Sequence, residues 1–243
     1  MIEQPTVPTP SFLRRLGPVL TRPVVDAVAR GPLALRSSKQ IAREAIRQGA
    51  YQKKTELSSL LRLLRARSPS VVIEIGTARG GTLYALCQVA AEGGLLVSID
   101  LPGGDFGGGY SEDAIPRMRR FARKGQSLHF LRYDSHDAST KEKLLRILSG
   151  RPIDILFIDG DHTYEGVKAD FQMYAELVGE GGLVAFHDVL PHPQVPACSV
   201  DRFWNEIKSR YVHHEYLEPE NDRGFGQWGG IGVLEVTEDS PFP

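Results

Sequence analysis

The stretch LFIDGDHTYEG, residues 156–166, places two carboxylates and one imidazole within four residues. Asp159, Asp161 and His162 follow the apolar run 153–158, which is typical of a strand buried on both faces. Carboxylate and imidazole are side chains that proteins use for metal ligation and proton transfer. A helix cap would explain one acid, and we expect that role for Asp161, but it does not explain the cluster. The stretch is therefore the first candidate for a functional site.

Acidic residues also end other predicted strands. Four of the five clearest apolar runs end in aspartate, at Asp100, Asp134, Asp159 and Asp188. In an open α/β sheet, ligands bind outside the carboxyl ends of the strands. We therefore expect these acids to line one rim of the sheet, together with His162 and His187.

The first predicted strand runs into a glycine-rich turn, EIGTARGGTLYAL, residues 74–86. Gly76 and Gly80 would let the backbone approach a ligand closely, and the helix that follows would point free amides at an anion. Asp100 lies 24 residues after Gly76, where an acid can accept both hydroxyls of a ribose. The turn and the acid together indicate a cofactor that contains a nucleoside. A dinucleotide fingerprint would have glycine at Ala78, so a nicotinamide cofactor is the less favoured alternative.

Alternating elements would position these residues. Apolar runs predict strands at 71–76, 95–100, 128–134, 153–160 and 182–188, with two more near 211–217 and 230–236. Helical patterns lie between them; one begins with a capping box at Ser139 and Glu142, and another extends from 162 to Val178. The alternation predicts an α/β fold, a Rossmann-like, doubly wound, mainly parallel seven-stranded sheet with helices on both faces.

The glycine turn resembles the first motif of the class I S-adenosylmethionine-dependent methyltransferases, acid-x-Gly-x-x-x-Gly, at Glu74, Gly76 and Gly80. The resemblance implies S-adenosylmethionine as cofactor, with its amino-acid part at the turn, its ribose at the end of the second strand and its adenine at the loop after the third. The implied cofactor-binding residues are Glu74, Gly76, Thr77, Gly80, Asp100, Asp134, Ser135 and Asp159.

FIDGDH followed by AFHD is similar to the metal-dependent O-methyltransferases, both the catechol type and especially the type that methylates macrolide sugars. The resemblance implies Asp159 and Asp188 as metal ligands, His187 as a third ligand and His162 as the general base. The catechol type commonly uses lysine as base, so His162 favours the sugar type. Mg²⁺ is the first expectation, but an imidazole at His187 better suits Mn²⁺ or another transition metal. A hydrogen bond from His187 that orients Asp188 is the alternative.

These features predict a metal-dependent O-methyltransferase that moves a methyl group to a hydroxyl of a saccharide or glycosylated natural product. A phenolic or catechol-like acceptor, a nicotinamide-dependent oxidoreductase and a noncatalytic binding protein on the same fold are the alternatives. The glycine-rich loop 101–116 and the segment at Tyr51, Gln52 and Lys53 are expected to shape the acceptor pocket. The expected partner is a small-molecule or oligosaccharide acceptor, and the oligomeric state is open, with a homo-oligomer as one alternative.

Composition limits the other classes. The 243 residues carry a net charge of −1, which gives no general attraction to nucleic acid or membrane. Residues 1–70 hold thirteen basic against four acidic residues, so we predict a basic helical segment at 1–52 before a methyltransferase domain at 53–243. With no targeting segment or apolar span, a cytoplasmic location is expected. The cysteines and the remaining histidines are not expected in the site; Cys87 is expected in the core, Cys198 in a loop, and His136, His192, His213 and His214 at the surface.

Overall fold

The computed structural model describes residues 36–104, 108–218, 227–239 and residue 242. The first 35 residues of the predicted basic segment therefore lie outside the described residues, as do residues 105–107 of the glycine-rich loop. Within the described part of the chain, no helix combines the length and the apolar character needed to cross a bilayer.

Seven strands form one sheet, in the order β3-β2-β1-β4-β5-β7-β6. They are β1 (Val71–Ile75), β2 (Leu95–Ile99), β3 (Ser127–Leu131), β4 (Ile153–Ile158), β5 (Val178–Leu190), β6 (Val212–Tyr216) and β7 (Gly229–Glu235). Strands β1 to β5 pair in parallel, whereas β7 pairs antiparallel with both β5 and β6. The predicted doubly wound, mainly parallel sheet of seven strands is confirmed.

The helices cover both faces of this sheet because alternate strand residues point to opposite sides. They are α1 (Ser38–Arg47), α2 (Lys54–Arg67), α3 (Gly81–Val89), α4 (Ile115–Arg119), α5 (Ala138–Leu148), α6 (Tyr164–Tyr174) and α7 (Val200–Ile207). Val72 packs in one hydrophobic cluster with residues of α1, α2 and α3, while Ile73 packs in the other with residues of α5, α6 and α7.

Helix α2 has the leucine face that its sequence suggests, and this face is fully buried at Leu57, Leu60, Leu61 and Leu64. Helix α1 packs in the same cluster through Ile41, Ala42 and Ala45. The described end of the predicted basic segment is therefore part of the core on this face of the sheet, while a domain boundary between residues 52 and 53 stays a prediction.

Three local predictions at helix ends were wrong. Helix α5 is capped by Asp137, whose side chain accepts from the Ser139 N–H, rather than by a box that begins at Ser139. Helix α6 ends at Tyr174, and Val178 opens β5. Thr163, which accepts from the Gly166 N–H, caps α6, whereas Asp161 accepts from the Thr163 N–H one step earlier. The two errors at helix starts are shifts of two residues, because several polar side chains near a helix start can satisfy its free N–H groups.

Candidate active site

A cavity of about 670 Å³ opens at the carboxyl ends of the parallel strands. The predicted site residues that line it are Gly76, Asp100, Asp134, Ser135, Asp159, His162, His187 and Asp188. The glycine-rich loop after β2 contributes Leu101, Gly104, Gly108 and Gly109 to the wall. The acids that end the strands thus lie along one rim, as the sequence predicts.

Gly76 holds the ends of β1 and β4 close together. Its φ is +84°, and a Cβ there would lie 1.9 Å from the carbonyl oxygen of Asp159. No other residue type fits such a separation without moving the backbone, and a left-handed φ itself favours glycine. The glycine is required by the fold at the point where the turn faces the cavity.

Three of the predicted cofactor-binding residues do not line the cavity: Glu74, Thr77 and Gly80. The Thr77 hydroxyl donates to Glu74 at 2.5 Å and lies 2.7 Å from the Ser98 hydroxyl. Burial raises the pKa of Glu74 well above its usual range. Contact of these three residues with a cofactor stays a prediction.

Asp100 ties the glycine turn to the end of β2. Its Oδ2 accepts from the N–H groups of Thr77 at 3.0 Å and Ala78 at 2.6 Å. Burial raises the pKa of this carboxyl to about 6, although these hydrogen bonds act to lower it. One oxygen is therefore committed to the turn, and ribose recognition by the other stays a prediction.

Three side chains converge at the other end of the cavity. The Nδ1 of His187 lies 3.2 Å from Asp159 Oδ1 and 3.4 Å from Asp188 Oδ1, and one ligand atom from each residue falls within 4.8 Å of the others. Asp188 Oδ1 is buried and accepts no hydrogen bond from the described residues. An unsatisfied buried carboxylate oxygen beside a second carboxylate and an imidazole fits a divalent cation.

The backbone at the end of β5 brings His187 and Asp188 to the same side. Consecutive strand residues normally point to opposite faces. Here Asp188 has a φ of +60°, and the pairing of β5 with β7 shifts register between His187 and Leu190. A non-glycine residue in the left-handed region is strained, and such strain is concentrated at functional sites.

The second atom of each side chain in this cluster is held by a further residue. The Gln52 amide donates to Asp159 Oδ2 at 2.6 Å. His162 Nδ1 lies 2.8 Å from Asp188 Oδ2, and His187 Nε2 lies 3.2 Å from Glu56 Oε1. These contacts use the other polar atom of each side chain. The atoms that face one another are Asp159 Oδ1, His187 Nδ1 and Asp188 Oδ1.

His162 lies between the two aspartates, with Nε2 3.5 Å from Asp159 Oδ1. Burial acts to lower the pKa of His162, but hydrogen bonds with Asp188 and Cys198 and the nearby carboxylates outweigh it and raise the pKa to about 10. Burial likewise opposes the charged form of His187, and the charges of Asp188 and Asp159 overcome it and raise that pKa. Both imidazoles respond to the same pair of carboxylates.

Several residues of this cavity have no signal in the sequence pattern. His136, His192 and Cys198 were not expected in the site, yet all three line the cavity, and so does Trp228; Cys198 lies in a loop, as predicted. His192 packs on Trp228 with ring centroids 4.9 Å apart. Both histidines are half-buried at the cavity wall, so they are near the surface as expected but face the site as well. Cys87 is buried in the core as expected.

Parts of the sequence match known proteins. Residues 73–189 match the model of a methyltransferase domain family. An uncharacterized protein of Acanthamoeba polyphaga mimivirus is 34% identical over 118 residues, which are 48% of this chain and 50% of that protein. The chain spans half or less of the length of the curated relatives it matches.

Solved O-methyltransferases share the fold. TomG from Streptomyces achromogenes, solved with S-adenosylmethionine, superposes with a TM-score of 0.53 at 20% identity, covering 83% of this chain and 90% of that one. MycE of the mycinamycin biosynthetic pathway, solved with Mg, S-adenosylhomocysteine and mycinamycin VI, gives 0.53 at 14% identity, covering 84% and 55%. The predicted resemblance to the class I methyltransferases is confirmed, since residues 73–189 match a methyltransferase domain family and the chain shares the fold of these enzymes.

Proposed function

We propose that this chain is an S-adenosylmethionine-dependent O-methyltransferase that requires a divalent cation and acts on a hydroxyl of a saccharide or glycosylated natural product. The observation that carries the proposal is the convergence of Asp159 Oδ1, His187 Nδ1 and Asp188 Oδ1 in the same cavity as the glycine turn. A cofactor at the turn and a cation at this cluster would place a methyl donor beside an activated hydroxyl.

The cofactor would lie along the rim formed by the first three strands. Gly76 and Asp100 face the cavity at the turn, and Asp134 and Ser135 face it from the loop after β3. In this arrangement, the amino-acid part and the ribose meet the turn, and the adenine meets the β3 loop. The MycE and TomG structures, which hold S-adenosylhomocysteine and S-adenosylmethionine, support this placement through their shared fold.

Asp159, His187 and Asp188 would hold the cation. A divalent cation supplies Lewis acidity that lowers the pKa of an acceptor hydroxyl and fixes its orientation. The mixed set of two carboxylates and one imidazole accepts Mn²⁺ more readily than an all-oxygen site would, so we propose that Mn²⁺ serves at least as well as Mg²⁺.

His162 would remove the proton from the acceptor hydroxyl. Asp188 Oδ2 accepts from Nδ1 at 2.8 Å, and Nε2, which lies 3.5 Å from Asp159 Oδ1, would take the proton. If a bound cation shared the charge of Asp159 and Asp188, these carboxylates would hold the His162 proton less strongly, and the ring could then act as a base. Asp188 thus has one oxygen for the cation and the other for orienting the base.

The acceptor would occupy the part of the cavity beyond the cluster, where Trp228, Tyr51 and Val195 line the wall. Lys53 holds Trp228 in place, since its Nζ donates to the Trp228 carbonyl at 2.8 Å and lies 4.2 Å from the ring centroid. Apolar faces of this kind pack on the C–H face of a sugar. They also suit a phenolic ring, so a catechol-like acceptor is the second candidate.

The test is transfer of a labelled methyl group. The purified chain is incubated with S-adenosylmethionine that carries a trideuterated methyl, with Mn²⁺ or Mg²⁺, and with one panel of glycosides and one of catechols. We expect the added label on a hydroxyl of a glycoside by mass spectrometry, and far slower labelling with His162→Gln. Binding of NADH in place of S-adenosylmethionine, or no labelled acceptor while S-adenosylmethionine binds, would contradict the proposal.

A further inference from the structure

Helix α2 carries a fully buried carboxylate, Glu56, whose relative exposure is 0%. It precedes the matched methyltransferase region 73–189 and is 131 residues from His187 in sequence. A buried carboxylate is costly unless hydrogen bonds or charged groups compensate it. The groups that contact Glu56 therefore compensate its burial and indicate its role.

Both oxygens of Glu56 are hydrogen-bond acceptors. Oε1 accepts from the Lys53 N–H at 2.6 Å, and Oε2 accepts from the Gly230 N–H at 2.8 Å. These contacts tie the start of α2 to β7. His187 Nε2, 3.2 Å from Oε1, therefore faces an acceptor and carries the hydrogen of this contact.

We infer that Glu56 is a positioning residue that fixes the His187 ring with Nε2–H toward α2 and Nδ1 toward Asp159 and Asp188. The inference rests on the proposed function, because a fixed Nδ1 matters only if that atom binds a cation. A metal-binding histidine generally needs a partner for its other nitrogen, which sets the tautomer and the ring orientation. Glu56 supplies this partner from a different element of the fold.

If Glu56 had only a structural role, its contacts with the Lys53 and Gly230 N–H groups would suffice. The cap of α2 needs the Lys53 contact, and the link to β7 needs the Gly230 contact, yet neither requires an imidazole next to Oε1. The matching contact of Gln52 with Asp159 Oδ2 shows that the neighbouring acid of the cluster is held in the same manner, from the segment just before α2. The residues before the methyltransferase match thus hold two members of the cluster.

The first experiment measures Mn²⁺ binding to the whole chain by calorimetry after chelation and dialysis. Glu56→Gln keeps the size of the side chain but places an amide where the carboxylate accepts. Loss of such an outer partner typically weakens metal affinity by about 10–100-fold, and we expect that range. Equal affinity in the wild type and the variant would overturn the inference, whereas no Mn²⁺ binding by the wild type would instead overturn the proposed function.

Asp154→Asn is the matched control. Asp154 Oδ2 accepts from the N–H groups of Ser70 at 2.6 Å and Val71 at 2.9 Å, at the opposite edge of the sheet. This variant also loses a carboxylate that holds backbone N–H groups, so it should lower the melting temperature without changing the Mn²⁺ dissociation constant. An equal loss of Mn²⁺ affinity in both variants would show a general effect of stability and overturn the positioning role.

A double-mutant cycle tests whether Glu56 acts through His187. In a His187→Asn background, Glu56→Gln should weaken Mn²⁺ binding no further, since its target is gone. Full additivity of the two effects would overturn the inference.

A measurement on the wild type alone covers the case in which Glu56→Gln fails to fold. Long-range ¹H–¹⁵N correlation on the Mg²⁺-saturated chain reports which imidazole nitrogen of His187 carries hydrogen. We expect hydrogen on Nε2 and none on Nδ1. The reverse tautomer would overturn the inference.

Discussion

Replacing Gly76 by alanine tests the close approach on which the site is built. Alanine at a φ of +84° costs about 1–2 kcal/mol because of the left-handed backbone. Its Cβ would also lie 1.9 Å from the Asp159 carbonyl oxygen, so β1 and β4 must separate, which strains the hydrogen bond from Asp159 N to Ile75 O at 2.8 Å. Forced overpacking of this kind typically costs another 1–3 kcal/mol or so. We expect the free energy of unfolding to fall by roughly 2–5 kcal/mol in total.

Gly93→Ala is the control for the backbone contribution. Gly93 has a φ of +72°, and a Cβ there would meet nothing within 4 Å. Urea denaturation, extrapolated linearly to water, gives both free energies of unfolding. The difference between the variants measures the contact between the turn and Asp159, and we expect Gly76→Ala to show weaker Mn²⁺ binding as well. Equal destabilisation by the two substitutions, with unchanged Mn²⁺ affinity, would refute the reasoning.

Three further predictions concern two single side chains and one ion pair. Asp100→Ala should weaken S-adenosylmethionine binding more than tenfold by calorimetry, because charged hydrogen bonds contribute roughly 1.5–3 kcal/mol each; unchanged affinity in a folded variant would count against ribose recognition. His162→Gln should lower kcat by about 10²–10⁴ with S-adenosylmethionine affinity retained, and a kcat near that of the wild type would exclude the base role. The Asp170 carboxylate, whose Oδ1 lies 3.3 Å from His136 Nε2, raises the pKa of His136 to about 9, so this stabilisation is complete below the unfolded-state pKa and is lost as pH rises through 9. The stability advantage of the wild type over the double variant His136→Gln/Asp170→Asn should therefore shrink from pH 6.5 to 10 in denaturant titrations, and a constant difference would contradict it.

The sheet and its functional edge follow from the sequence because both depend on local pattern. Apolar runs buried on both faces are recognisable as parallel strands, and their order along the chain places every carboxyl end at one edge. Aspartates at the ends of these runs could thus be assigned to a common rim without knowledge of side-chain positions. The sequence pattern therefore places Asp159, His162 and Asp188 at the same rim, and all three line the cavity.

The supporting contacts could not be predicted in the same way, since they depend on packing between distant segments. Glu56 is an acid in the first turn of a helix, where acids are common, so its position in the sequence indicates no further role. Its contact with His187 arises only when α2 packs against the end of β5. His192 lies in a proline-containing segment without periodicity, so no pattern indicates that it faces Trp228.

Helix starts were misplaced for a different physical reason. Asp137 and Ser139 both offer an oxygen that can accept from a free N–H group, and Asp161 and Thr163 offer the same choice before α6. The sequence identifies such a cluster, but the backbone dihedrals of the loop decide which member is the cap.

The central claim, that Asp159, His187 and Asp188 bind a cation needed for methyl transfer, is tested most directly by metal titration during turnover. The chain is stripped with a chelator, and Mn²⁺ is added in steps with S-adenosylmethionine and an accepted glycoside, while bound metal is measured by elemental analysis. We predict that turnover is absent at zero metal, rises in proportion to occupancy and levels off at one ion per chain, and that Asp188→Asn shows no such rise. Full methyl transfer by the stripped chain, with no metal detected, would contradict the account.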